Sequence, residues 1–219
     1  MKNPQKIRVD ENLAYFIGVL QSDGCLYLFF DKKKNWKSIR LSLYVAQKSL
    51  PMSRKFKNMF REKFGRDVNI RKVPNKNLYA IQTSINSLYH IFSEWNEYKI
   101  PFEIKQDRKL FGAYLAGLID GDGHIKIKKH QNDRALPQGL IKIASDRPLG
   151  ILRALIRSHA GCSVHFDYDR NSNGVCTCFY ITKKSIPFIM RCVYPHLAMQ
   201  YKMEALKEFS ERKTEPARI

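Results

Sequence analysis

The sequence repeats itself, and this limits the folds open to it more than any other feature. The stretch "NLAYFIGVLQSDGCLYL" from Asn12 lines up with "LFGAYLAGLIDGDGHIKIK" from Leu110, which sets Asp23 on Asp122 at an offset of 99 residues (122 − 23). Further on, "IRLSLYVAQKSL" from Ile39 lines up with "GLIKIASDRPL" from Gly139, both apolar-alternating runs. "SINSLYHIF" from Ser84 then falls on "TKKSIPFIM" from Thr182, at an offset of 98. Three segments holding nearly one offset mean two copies of one unit. Each copy is far longer than a solenoid repeat, so the pattern predicts a pseudo-twofold pair in which one chain mimics a symmetric dimer. The expected division is a first half at 1–101, a second half at 102–213 and a loose basic tail at 214–219.

Within each copy the periodicity reads helix, strands, helix, strands, helix, an α+β pattern. Asp10 or Asn12 is a suitable cap for the first helix, and Gly24 a suitable stop. "HIKIKKH" alternates His124, Lys126 and Lys128 with Ile125 and Ile127, as a half-buried strand with a basic outer face does. "RKFKNMFREKFG" puts Phe56, Met59, Phe60 and Phe64 at helical spacing before Gly65, and "LGILRALIRSHAG" follows the same plan. "DVNIRKV", "NLYAIQTS", "SVHFDYD" and "CTCFYIT" read as the other strands, with "PNKN" and "NSNG" as turns. The aromatic residues of "FREKF" and "YHIF" read as core. Pro101 breaks the pattern between the halves.

Both leading helices carry small residues four apart, Gly18 and Ser22 in one and Gly117 and Gly121 in the other, with Ala116 beside them. That spacing puts each pair on one helix face, where two backbones can approach closely. Glycine costs about 1 kcal/mol against alanine inside a helix. Its use at matching positions in both copies predicts that the two helices pack on each other through Gly18, Ala116 and Gly117. Asp23 and Asp122 then stand at adjacent helix C-termini, where the macrodipole already disfavours negative charge. Two converging carboxylates repel, and a divalent cation relieves the conflict. Carboxylates and unpaired terminal carbonyls are hard oxygen donors suited to Mg²⁺.

The composition adds a partner. Thirty-nine Lys and Arg against 20 Asp and Glu give a net charge of +19 on a chain that is 44% hydrophobic. A folded, strongly basic chain favours a polyanion, most often nucleic acid. Five cysteines without a CxxC pair argue against a zinc site or a disulfide framework and for a reducing intracellular compartment. No apolar run reaches the roughly 18 residues of a membrane helix, and "MKNPQKIRVDEN" lacks a signal-peptide core. The expectation is an intracellular protein, cytoplasmic in a prokaryote or else organellar. A calcium loop in "DGDGHIKIKKHQ" fails because Ile125 and Gln131 stand where Gly and Glu are required. His124 and His130 lack further ligands at metal spacing.

"LAGLIDGDG" closely resembles the signature of the LAGLIDADG homing endonucleases, with Gly121 for the usual alanine, and "FIGVLQSDG" resembles a diverged first copy. The resemblance covers nearly the whole chain and matches the family's monomeric, two-motif members. It implies two αββαββα units related by a pseudo-twofold axis. Their antiparallel sheets form a saddle over double-stranded DNA, and the signature helices form the central interface. The implied activity is double-strand cleavage of a long DNA site with divalent metal, in a free-standing intron product. Carried over by position, Asp23 and Asp122 are the metal-binding acids, with the carbonyls of Ser22 and Gly121 as further ligands. Gln47 resembles a residue that organises catalytic water in the first half, with Ser145 as its counterpart. Lys184 resembles a family lysine, with Asn86 in its place in the first copy, and Lys183 is an equal choice. Gln21 and Asp120 differ from each other and receive no catalytic role.

Sequence reading by such a protein uses strand side chains in the major groove, while phosphates take over half of the hydrogen bonds. The expected DNA-facing set is Tyr27, Phe29, Arg40, Ser42, Tyr44, Asn69, Arg71, His124, Lys126, Lys128, Tyr168 and Arg170. The competing reading is an RNA maturase, an intron-splicing cofactor that binds intron RNA, since some members of the family have become one. Retention of both aspartates favours the nuclease, because RNA chaperoning needs no paired metal ligands. A structural protein of the ribosomal kind has no use for an acid duplicated at two helix ends.

Overall fold

The structure is a computed structural model that describes residues 8–31, 33, 36–84, 100–128, 138–145, 150–169 and 174–214. Its first half runs α1 (Glu11–Ser22), β1 (Gly24–Asp31), β2 (Trp36–Ala46), a 3-10 turn (Gln47–Ser49), α2 (Leu50–Phe64), β3 (Ile70–Lys72) and β4 (Leu78–Ser84). A short α3 (Phe102–Gln106) leads into the second half: α4 (Arg108–Asp122), β5 (Gly123–Lys128), β6 (Gln138–Ser145), α5 (Gly150–Ala160), β7 (Val164–Asp169) and β8 (Gly174–Ile181). An irregular helical stretch over 186–196 precedes α6 (Gln200–Thr214). Asn86, His130 and Arg170 lie outside the described residues, as do the turn expected at 171–173 and most of the tail.

The two sheets are antiparallel, four-stranded and of one plan, β1-β2-β4-β3 and β5-β6-β8-β7. Ile39, Leu41, Leu43 and Val45 of β2 alternate inward and are buried, as are Ile141 and Ile143 of β6. Period-two alternation leaves the opposite face of each sheet to the polar residues. The expected α+β class and twofold plan are therefore those of the molecule. Register keeps the alignment of Ile39 with Gly139: Gly24 pairs with Leu43 and Gly123 with Ile143, so the second strands are offset by 100 residues. Ser145 consequently matches Val45. Gln47 itself lies beyond the strand, in the turn after β2, and the segment after Ser145 is outside the described residues.

Local chemistry sets the helix limits. Asp10 is the N-cap of α1, its carboxylate accepting from the Leu13 N–H at 2.9 Å, and Asp107 caps α4 through Lys109 and Leu110 at 2.7 and 3.0 Å. Both α2 and α5 stop where Gly65 and Gly161 take φ of 62° and 64°. α1 ends at Ser22 with Asp23 as its cap, one residue before the expected glycine stop, because Gly24 already opens β1. The 186–196 stretch departs from a regular helix, with a π turn over Ile189–Val193 and Pro187 and Pro195 each at a helical start. Phe16 stacks on Phe56 with ring centroids 4.5 Å apart, and Phe60 and Phe64 close the same cluster, so the "FREKF" aromatics are core. No helix among the described residues is long and apolar enough to cross a membrane.

Candidate active site

α1 and α4 meet through their small residues. A Cβ placed on Gly18 would collide with the Tyr114 carbonyl oxygen and lie 3.1 Å from the Gly117 Cα. A Cβ on Gly117 would collide with the Tyr15 carbonyl oxygen and lie 3.1 Å from the Gly18 Cα. The two collisions are mirror versions of one contact, as a pseudo-twofold axis between the helices demands. One turn on, a Cβ on Gly121 would run into the Ser22 side chain and come within 3.4 Å of the Asp23 N. Ala116 is fully buried, but the closest approaches belong to the glycines and Ser22. The backbone of Asp23 is thus seated beside Gly121, the residue that precedes Asp122, so the two acids stand at adjoining helix ends.

Hydrogen bonds cross the same interface in pairs. The Tyr114 hydroxyl donates to Gln21 Oε1 at 2.7 Å, and the Tyr15 hydroxyl donates to Asp120 Oδ2 at 2.8 Å. Gln21 and Asp120, which looked unrelated in the sequence, are the matched acceptors of matched tyrosines. Their surroundings differ. Asp120 is 2% exposed, also accepts from the Ala198 N–H at 2.6 Å, and its Oδ1 finds no partner among the described residues. Burial pushes its carboxyl above the usual range, against the pull of these donors and of Lys202 and Lys55. The Lys202 ammonium, equally buried, donates to the carbonyls of Ile119 and Asp120. Asp23 is also raised by burial, with Lys202 drawing it down.

Behind Tyr15, the Lys55 ammonium sits 3.7 Å from the ring centroid and donates to the His196 carbonyl. Burial lowers its pKa to about 8 from 10.5, with Asp120 acting in the opposite sense. Below pH 8 both folded and unfolded chains carry the proton, and the desolvation penalty is present in full. Between pH 8 and 10 the folded chain releases it first, the unfolded chain binds more protons, and stability rises with pH. Above 10 the raised phenols of Tyr15 and Tyr114 reverse the trend. Lys55→Met is expected to flatten the rise between pH 8 and 10 in urea unfolding, and an unchanged slope would remove Lys55 as its source.

The outer sheet faces carry much of the expected DNA-facing set. Register places Tyr27, Arg40 and Tyr44 on one face, where all three are exposed, and Arg71 joins them beside Ala80. Ser42 shares that face but is 3% exposed, because Cys25 and Gln82 flank it across both ladders. Asn69 is exposed and precedes β3 instead of lying in it. In the other sheet His124 and Lys126 are exposed on the face that also holds Lys142, His165 and Tyr180. Phe29, Lys128 and Tyr168 occupy strand positions in β1, β5 and β7. Gln82, which donates to the Tyr44 hydroxyl at 2.7 Å, and Lys142 were legible from strand alternation but not singled out.

Gln47 opens the exposed 3-10 turn after β2. Burial lowers the pKa of Lys202, and the charge of Lys48, the neighbour of Gln47, adds to this. Lys183 and Lys184 are exposed in a turn held by reciprocal Thr182–Ser185 hydrogen bonds, without a described contact to either aspartate. The sequence reading missed Lys202, Lys55 and the Ala198 N–H. Among the described residues no three His, Cys, Asp or Glu gather into a metal cage. Two carboxylates flanked by terminal carbonyls nevertheless suit Mg²⁺, which keeps several waters and takes other oxygens from a substrate phosphate.

The fold of this chain, paired antiparallel sheets on two helices packed through glycine, is similar to that of solved homing endonucleases. The chain matches the homing endonuclease I-DmoI in complex with DNA and calcium at a TM-score of 0.62 and 19% identity, over 90% of this chain and 97% of that one. It matches the meganuclease I-SmaMI bound to uncleavable DNA at 0.56 and 13% identity, over 92% and 90%. The I-LtrWI LAGLIDADG homing endonuclease bound to target DNA gives 0.56 and 15%, over 92% and 89%. A single-residue variant of I-DmoI has been solved with its target DNA in the presence of magnesium, and I-DmoI with DNA and manganese. No family model matches the sequence, and no curated protein matches it. At these identities the likeness is one of fold.

Proposed function

We propose that this chain is a site-specific DNA endonuclease that makes divalent-metal-dependent double-strand breaks in a long target. The observation that carries the reading is the seating of Asp23 and Asp122 together at the adjoining ends of α1 and α4, between two sheets whose outer faces are polar and basic. Two acids at one pseudo-twofold axis match the two strands of a duplex, whose backbones are themselves related by twofold symmetry. Asp23 and Asp122, with the carbonyls of Ser22 and Gly121, would hold the metal. When bound, it polarises the phosphate and helps generate the attacking hydroxide. Arg40, Arg71 and Lys126 bring positive charge to the phosphates and side-chain donors to base edges. Because both motif helices belong to one chain, the enzyme acts as a monomer, and the reading extends to an intron-encoded, intracellular protein.

Incubation with a random-sequence duplex library and Mg²⁺, followed by sequencing of the new ends, is expected to return one long consensus cut on both strands. Chelation with EDTA is expected to abolish the cut. Tight binding to structured intron RNA with no DNA cut at any metal concentration would replace this reading with the maturase.

A further inference from the structure

The outer face of the first sheet holds a hydrogen-bonded pair of side chains that both reach solvent. Tyr44 of β2 stands opposite Ala80 of β4, and Gln82 stands two residues further along β4, opposite Ser42. Residues two apart on a strand share a face, and diagonal partners across an antiparallel pair lie within reach of an aromatic or long side chain. Ala80 carries only a methyl, which leaves the diagonal open, and Gln82 Nε2 donates to the Tyr44 hydroxyl at 2.7 Å. Both side chains are exposed, Tyr44 at 44%. Tyr27, Arg40 and Arg71 are exposed on the same face, so the pair belongs to the surface that the endonuclease reading turns toward DNA.

A surface glutamine samples many rotamers, and any contact it makes with DNA must first arrest that motion. Tyrosine has a rigid ring and few torsions, so it makes a suitable anchor for the amide. The bond to Tyr44 uses one of the two Nε2 hydrogens. The other hydrogen and Oε1 remain, a donor and an acceptor on one planar group. That is the pattern complementary to N7 and the N6 amino group of adenine in the major groove. Resting on the endonuclease reading, we infer that Gln82, held by Tyr44, is a specificity-determining residue that reads an adenine in the target. Tyr44 acts through Gln82: the phenol sets the aim of the amide, and the amide contacts the base.

Selection of bound sites from a random duplex library in Ca²⁺, with the full chain and its variants, checks this. One position that favours adenine by about tenfold is expected to lose the preference in Gln82→Ala. In Gln82→Glu the same position is expected to change to cytosine, because a carboxylate accepts from the cytosine N4 amino group. Tyr44→Phe keeps the ring and removes the anchor, and is expected to lower the adenine preference there by about threefold. Joined to Gln82→Ala, it is expected to add nothing at that position. The rest of the consensus is expected to stand in every variant, which reports an intact fold. An unchanged consensus in Gln82→Ala, a loosening at all positions alike, or full additivity of the two changes overturns the inference. A protein that selects duplex sites but does not cut them in Mg²⁺ refutes the endonuclease reading and leaves this test in force, whereas one that selects no duplex site refutes both.

Discussion

Asp122→Asn is expected to lower double-strand cleavage by a factor of about 10³ or more, and Asp23→Asn is expected to do the same. Asparagine keeps the shape of the side chain and removes its charge, so the loss reports on the negative oxygen and not on packing. Each acid sits at the end of a different helix, which predicts nicking of one strand by each single variant and opposite strands for the two. The double variant is expected to do neither. DNA binding in Ca²⁺ is expected to hold within a few-fold, because the outer faces of both sheets are untouched. Undiminished cleavage by Asp122→Asn would remove this cluster from the chemistry. A loss of binding equal to the loss of cleavage would give the acids a structural role.

Symmetry made much of this legible in advance. The duplicated Gly-x-x-x-small spacing fixed a helix pair, and Asp-Gly at matching ends brought two acids together, because both follow from one helical period. Strand alternation likewise set Tyr27, Arg40, His124 and Lys126 on outer faces. What stayed hidden depends on how distant elements meet. Lys202 lies in a sequence, "QYKMEALKEF", that reads as an ordinary charged helix, and only the fold carries it to carbonyls 82 residues or more away. Lys55 was equally unreadable, since its place over Tyr15 depends on how α2 meets α1. Gln21 and Asp120 were set aside because they differ, although each accepts from the opposite helix's tyrosine. Pairwise identity is a poor guide where Gln and Asp can both serve as acceptors.

The helix interface itself gives the largest expected effect on stability. Gly18→Ala puts a methyl where the Tyr114 carbonyl oxygen lies, and Gly117→Ala does the same against the Tyr15 carbonyl oxygen. Neither oxygen ends a flexible side chain. Each belongs to the backbone of a helix's buried stretch, so relief requires α1 and α4 to move apart. Overpacking of a tight core costs about 1–3 kcal/mol and more where nothing can yield. That outweighs the roughly 1 kcal/mol that alanine offers over glycine as a helix former. Each substitution is therefore expected to lower the urea midpoint by an amount equivalent to about 3 kcal/mol, with valine worse than alanine. The two sites share one contact, so their effects are coupled. Once the first methyl has forced the helices apart, the second finds room, and the double variant loses less than the sum of the singles. Cleavage is expected to fall further than stability alone accounts for, because this contact sets how the helix ends that carry Asp23 and Asp122 sit on each other. Strict additivity, or a Gly18→Ala chain as stable as the wild type, would show that the helices are not pressed together at these glycines.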